Sequence, residues 1–265
     1  MSFKIALSAG HGRYTAGKRC KESLDKNETR EWVLNDRIAD KVEKLLKSYE
    51  GYELLRLDDT TGVKDIALKE RSKAANNFNA DFYLAIHHNA GIYGGKGGGI
   101  VTFVYTKPSA ESVAWQKDLY NALIDETGLK GNRSTPLAKG NLHEVREPKM
   151  PSVLLELGFM DSSTDVPIIL TEKFADQCAK AIVKVLVKRG KLTKKVVATT
   201  TTTFQSYKVK VTANVLNIRK GAGTNYGIVG KIEDKGVYTI IEEKNGWGLL
   251  KSETGWISLS YTKKV

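Results

Sequence analysis

Two stretches place histidine directly after an apolar run: "SAGHGR", which carries His11, and "AIHHNA", which carries His87 and His88. Histidine at the end of a buried strand can present an imidazole nitrogen to a metal or a substrate. Two such strand ends, with an acidic residue between them in sequence, fit a His₂Glu zinc site whose fourth position is left for water. Zinc lowers the pKa of that water to about 7 and so supplies a nucleophile at neutral pH. Neighbouring residues on a strand point to opposite faces, so His87 and His88 can hardly serve one site together.

The acidic partner is not singled out by its surroundings. "ESLDKNETREWVLNDR" offers Glu22, Asp25, Glu28 and Glu31. Glu31 lies near the start of a helical pattern with Asn35 at i+4 on the same face, so those two can act together. Glu28 reads as a residue that caps or precedes that helix. A different signal comes from Glu156 in "PSVLLELGFMD". A carboxylate among Val153, Leu154, Leu155, Leu157 and Phe159 is costly to bury unless it is paired, liganded or protonated. It is either a buried ion pair or a general base with a raised pKa, able to take a proton from an activated water.

These groups need a scaffold that brings strand ends together. Residues 3–9, 51–57, 80–90, 98–105 and 152–159 read as strands. Helical spacing recurs over 29–47, 66–78, 109–127 and 171–187. The alternation predicts an α/β domain over residues 1–187, a mainly parallel sheet flanked by helices. Active groups collect at strand ends in such sheets, where His11, His87 and Glu156 fall. Residues 188–203, basic and then threonine-rich, read as a solvated linker. Beyond it, residues 204–265 hold short alternating segments separated by glycines, which predicts a small all-β barrel.

The chain has 265 residues, 41% of them hydrophobic, enough for one sizeable core and a second small one. The formal net charge is +12 but unevenly placed. Residues 1–187 carry 27 basic and 25 acidic residues, 188–203 five and none, and 204–265 ten and five. A basic tail suits a polyanionic partner or simply a solvated surface. Cys20 and Cys178 form neither a disulfide framework nor a CxxC pair. The first residues lack the long apolar segment of a secretory leader, and no run approaches the roughly 20 apolar residues of a membrane span. The sequence therefore predicts a protein made in the cytoplasm and released by other means.

Four motifs in order, "AGHG" (9–12), "ExxxN" (31–35), "IHHNA" (86–90) and "MPSVLLELGF" (150–159), make residues 1–187 resemble the zinc-dependent N-acetylmuramoyl-L-alanine amidases of bacterial autolysins and phage endolysins, the type 3 amidase family. The resemblance implies one zinc ion held by His11, Glu31 and His87, with Glu156 as the catalytic glutamate. It selects His87 over His88 and places Asn89 by the site. His143 stands where the family often has an aromatic or aliphatic residue, and is assigned either to substrate contact or to packing. Arg71 resembles a recurrent structural arginine. Residues 204–265 resemble bacterial SH3-like wall-binding domains, with Tyr226, Trp247, Trp256 and Tyr261 as candidate contact aromatics. The implied partners are peptidoglycan and anionic wall polymers, with no specific nucleic acid. The implied reaction is cleavage of the amide between N-acetylmuramic acid and L-alanine, by an endolysin released through a holin pore. The rival expectations are a zinc peptidase acting on the stem peptide or cross-bridge, and a wall- or nucleic-acid-binding protein without catalysis.

Overall fold

The computed structural model describes residues 2–195 and 204–265. The chain divides into two compact units, the boundary falling between Val196 and Val197. In the first unit the elements run β1 (Phe3–Ala9), α1 (Glu31–Leu46), β2 (Tyr49–Glu50), β3 (Tyr52–Arg56), α2 (Leu68–Phe78) and β4 (Phe82–Asn89). There follow β5 (Ile100–Tyr105), α3 (Ala110–Thr127), β6 (Leu137–Gly140), the short α4 (His143–Arg146), β7 (Ser152–Phe159), the short α5 (Val166–Ile169), α6 (Glu172–Gly190) and β8 (Thr193–Lys194).

Six strands form the central sheet in the order β3-β1-β4-β7-β5-β6. The first four are mutually parallel, while β5 runs antiparallel to β7 and parallel to β6. Strand periodicity then sorts the side chains. Ile5, Leu7, Phe82, Leu84, Val153 and Leu155 face one side, where they join a core with residues of α1, α3 and α6. Ala6, Tyr83, Ala85 and Leu154 face the other, against Ala75 of α2 and Val145 of α4. Helices thus cover both faces of a mainly parallel α/β sheet, as the sequence predicts.

Helix α1 carries the residue that matters most for the site. Its N-cap, Arg30, makes no side-chain capping bond, which forgoes about 1 kcal/mol. Burial decides the helix instead: Leu34, Ile38, Val42 and Leu46 are shut off from solvent, at about 1.5–3 kcal/mol each. The Glu31 amide donates to Lys18 O at 3.0 Å, and Arg19 bridges Arg30. The first turn of α1 is therefore tied to the β1–α1 loop.

One boundary needs correction. The expected linker at 188–203 begins too early, because α6 continues to Gly190 and β8 pairs with β2. Of the basic residues there, Arg189 is anchored, pairing with Asp118 at 2.9 Å and lying over the Trp115 ring, while Lys188, Lys191, Lys194 and Lys195 are exposed; Leu192 is buried. The threonine run at 199–203 lies outside the described residues.

The second unit is one antiparallel sheet of seven strands, β9 (Tyr207–Val211), β10 (Leu216–Arg219), β11 (Ile228–Ile232), β12 (Val237–Lys244), β13 (Trp247–Leu250), β14 (Trp256–Ser258) and β15 (Thr262–Lys264). Their order is β11-β10-β14-β13-β12-β9-β15. Val209, Leu216, Ile240, Leu250 and Ile257 form its own small core. Tyr226 and Tyr261 are exposed, whereas Trp247 and Trp256 are half-buried. Trp247 and Tyr261 line a groove with Val215, Arg219 and Ser260. Among the described residues no helix is long and apolar enough to cross a membrane.

Candidate metal centre

The site begins with strand register. β4 and β7 are parallel neighbours, and His87 is the direct partner of Glu156. The same parity that turns Tyr83 and Ala85 towards α4 carries His87 and Glu156 to that face. His88 points the other way, towards α1, where its Nδ1 lies 2.8 Å from Asn35 Oδ1. Burial pushes the His88 imidazole down to about 3, so it is a neutral structural group.

His11 follows β1 at a sharp corner and holds a left-handed backbone, φ 66°, a conformation uncommon outside glycine. Arg71, fully buried on α2, fixes the corner by donating to Ser8 Oγ at 2.7 Å and to the carbonyls of Ala9 and His11. Its role is structural, as the resemblance implies. Gly10 has a separate purpose: a Cβ there would overlap the His87 ring. The expected result of Gly10→Ala is overpacking of about 1–3 kcal/mol, together with a displaced His87 ring. Thermal unfolding of the metal-free protein and a zinc titration would measure both. A variant that matched the parent in both would show that the ring has room to move.

Glu31 is 1% exposed and is the acid that converges on the histidines. Its Oε1 lies 3.1 Å from His87 Nδ1 and accepts from the His88 amide at 3.2 Å. Its Oε2 lies 3.3 Å from His11 Nε2 and 3.8 Å from Lys18 Nζ. Asn35 supports it, with Nδ2 donating to Gly10 O and lying 3.5 Å from Oε1. Of the other candidates, Glu28 turns outward to an ion pair with Arg19 at 3.0 Å. It precedes the helix without capping it, the N-cap being Arg30. Asp25 turns its carboxylate to the amides of Asn27 and Thr29.

One nitrogen each of His11 and His87 and one oxygen of Glu31 lie within 4.8 Å of one another, so these three residues could hold a metal ion. Glu31 Oε2 is buried without a hydrogen-bond donor, an expensive state that a cation would relieve. Two imidazole nitrogens and a carboxylate oxygen are a donor set that suits zinc. The local charges agree. Burial opposes ionisation of Glu31, but His11 and His87 override it and hold the carboxyl well below its ordinary range. Burial likewise opposes charge on His87, yet Glu144 and Glu31 raise it to about 10. A cation at Nδ1 takes the place of that proton.

Glu156 differs from both. Burial pushes its carboxyl up to about 8, despite the attraction of His87. Its Oε2 is buried and has no hydrogen-bond partner, and among the described residues the side chain makes no ion pair. Two hollows open at the cluster. One, of about 370 Å³, is lined by Lys18, Glu31, His87, Asn89 and Glu156; the other, of about 330 Å³, by His11, Asp65, Leu68 and His87. Asn89 caps the chain with Oδ1 accepting from the Ala90 amide at 2.8 Å. His143 opens α4 and sits elsewhere, its Nε2 3.1 Å from Ser72 Oγ.

Two residues near the cluster escape the sequence reading. Lys18 lies in a polar loop without periodicity. Glu144 is 3% exposed and reaches His87 Nε2 at 2.9 Å. Nothing in "NLHEVREP" separates it from exposed Glu147, because a four-residue helix carries no pattern.

Comparison with known proteins places the two units in known families. Residues 5–188 match the family described as N-acetylmuramoyl-L-alanine amidase, and residues 214–263 match the bacterial SH3 domain. The sporulation-specific N-acetylmuramoyl-L-alanine amidase of Bacillus subtilis (strain 168) is 30% identical over 177 residues, 67% of this chain and 64% of that protein. The endolysin of Bacillus phage SPP1 is 28% identical over 181 residues, 68% of this chain and 63% of its own length. This chain thus matches somewhat less than two thirds of either relative. The crystal structure of the N-acetylmuramoyl-L-alanine amidase from Clostridium difficile 630 superposes with a TM-score of 0.63 at 26% identity, covering 71% of this chain and 96% of that one.

Proposed function

The chain belongs to the N-acetylmuramoyl-L-alanine amidase family, and from that premise we propose that it is a zinc-dependent peptidoglycan hydrolase. It cleaves the amide between the lactyl group of N-acetylmuramic acid and L-alanine. The observation that carries this reading is the pairing of Glu156 with His87 across adjacent parallel strands, beside the His11, Glu31 and His87 donor set. His11, Glu31 and His87 would hold the zinc ion. Bound there, zinc supplies a Lewis acid for the scissile carbonyl and lowers the pKa of water to about 7.

The residues of the chain do the rest. Glu156 Oε2, buried and unpartnered, accepts the proton of the attacking water and returns it to the leaving amine. Burial raises this carboxyl in the metal-free protein; a cation held beside it would favour the carboxylate form that accepts the proton. Asn89 lines the same hollow and is assigned to substrate. His143, bonded to Ser72, is assigned to the packing of α4 against α2 rather than to substrate contact. The second unit carries a net basic charge and a groove with Trp247 and Tyr261, and we assign it to the wall: peptidoglycan and its anionic polymers. An endolysin role with release through a holin accords with the likeness to the phage protein.

Product identity tests the reaction. Peptidoglycan digested with the whole protein should yield new free amino groups on L-alanine, read by mass spectrometry. A new terminus at any other bond would replace the amidase with a peptidase of the stem or cross-bridge.

A further inference from the structure

We propose that Glu144 is the positioning residue of the metal site, selecting which nitrogen of His87 faces the ion. The inference rests on the metal reading of His11, Glu31 and His87 given above. Glu144 lies on the four-residue α4 and is buried. Its Oε1 accepts from Ser8 Oγ at 2.6 Å and from Tyr83 OH at 2.8 Å. Its Oε2 lies 2.9 Å from His87 Nε2. Ser8 Oγ in turn accepts from Arg71 Nη1, so its own proton is free for Glu144.

Without a metal both His87 nitrogens face a carboxylate oxygen; with a cation held at the cluster, donor and acceptor accounting fixes which one carries the proton. A carboxylate only accepts, and both partners of Oε1 donate to it. Oε2 therefore calls for the N–H of His87 Nε2. A neutral imidazole has one N–H, so placing it at Nε2 leaves a lone pair on Nδ1. Nδ1 is the nitrogen that faces Glu31 Oε1, and it is the atom turned towards the cluster. Glu144 is itself held by β1 through Ser8 and by β4 through Tyr83. Two strands of the sheet thus fix the direction of one ligand ring. A carboxylate behind a ligating histidine both orients the ring and raises its basicity.

Zinc affinity of the whole protein decides the matter, measured by competition with a fluorescent chelator and by the visible spectrum of the Co²⁺-substituted form. Glu144→Ala is expected to weaken binding by about 10–100-fold and to alter the Co²⁺ bands. Glu144→Gln, which keeps an acceptor but loses the charge, should fall between it and the parent. Ser152→Ala removes a buried bond to the same short helix, at Val145 O, and none to Glu144 or His87, so its affinity should change by less than about 10-fold. Parental affinity and spectrum in both Glu144 variants would overturn the proposal. So would an equal loss in Ser152→Ala, which would mark a general packing defect around α4. If Glu144→Ala does not fold, the glutamine variant carries the test. Failure of the parent protein to bind zinc would refute the metal reading itself, a separate result.

Discussion

Replacing Glu156 with glutamine is expected to slow wall hydrolysis by about 10²–10⁴-fold, the usual contribution of a general base, while zinc content and wall binding stay at parental levels. The expectation follows from placement. Glu156 lies beside His87 in register but is not among the three residues that could hold a metal. Its loss removes a proton acceptor and leaves the donor set intact. Turbidity decay of purified walls, zinc analysis and a pull-down on the same walls measure the three quantities. Parental lysis by Glu156→Gln would end the general-base assignment.

The same substitution carries a second signature in the metal-free protein. Burial raises Glu156 from an ordinary 4.5 to about 8, so the folded state holds this proton more tightly than the unfolded chain. Below about pH 4.5 the group is neutral in both states and exerts no penalty. Between about pH 4.5 and 8 the unfolded chain has released this proton while the folded state keeps it, so stability falls; above 8 the folded protein buries the charge and the penalty is complete. Glutamine cannot ionise. The metal-free variant should therefore melt above the parent at pH 8 and higher, with the gap closing towards pH 4.5. A pH-independent gap would mean that Glu156 titrates alike in both states.

The second large effect is expected at Glu31. Glu31→Ala should abolish stoichiometric zinc binding and with it hydrolysis, whereas Glu28→Ala should leave both near parental values. Glu31 is buried between two histidines, and each of its oxygens faces a different ring nitrogen. Glu28 makes a partly exposed pair with Arg19, an interaction worth at most about 1 kcal/mol. Zinc retained after dialysis, measured for the two variants side by side, checks the contrast. Retention in Glu31→Ala, or loss in Glu28→Ala, would reverse the assignment.

These contrasts also mark how far the sequence could be read. The strands and helices are legible because their apolar residues recur at strand or helix spacing over many positions. The split between His87 and His88 is legible for the same reason, since strand parity sends them to opposite faces. Glu31 against Glu28 is harder. Both are acids at the head of one helix, and only the bridge between the β1–α1 loop and Arg30 turns one inward. Family resemblance implies Glu31 where periodicity does not choose. Glu144 stays hidden because its importance lies in contacts with Ser8, Tyr83 and His87, all more than 50 positions away. The early end predicted for the first unit has a similar cause: Arg189 looks solvated until Trp115 and Asp118 are brought to it, and Leu192 until the core of the first unit closes over it.

The pairing of His87 with Glu156 has a consequence for how such a molecule can be altered. Neighbouring strands lie about 4.8 Å apart whatever their side chains, so the distance between these two backbones is set by sheet geometry. Rim segments outside the β1–α1 loop, which itself carries His11 and holds the first turn of α1, can then change without moving these two backbones apart. Changes at such a rim would leave the spacing of His87 and Glu156 to the sheet, which acts as a fixed gauge.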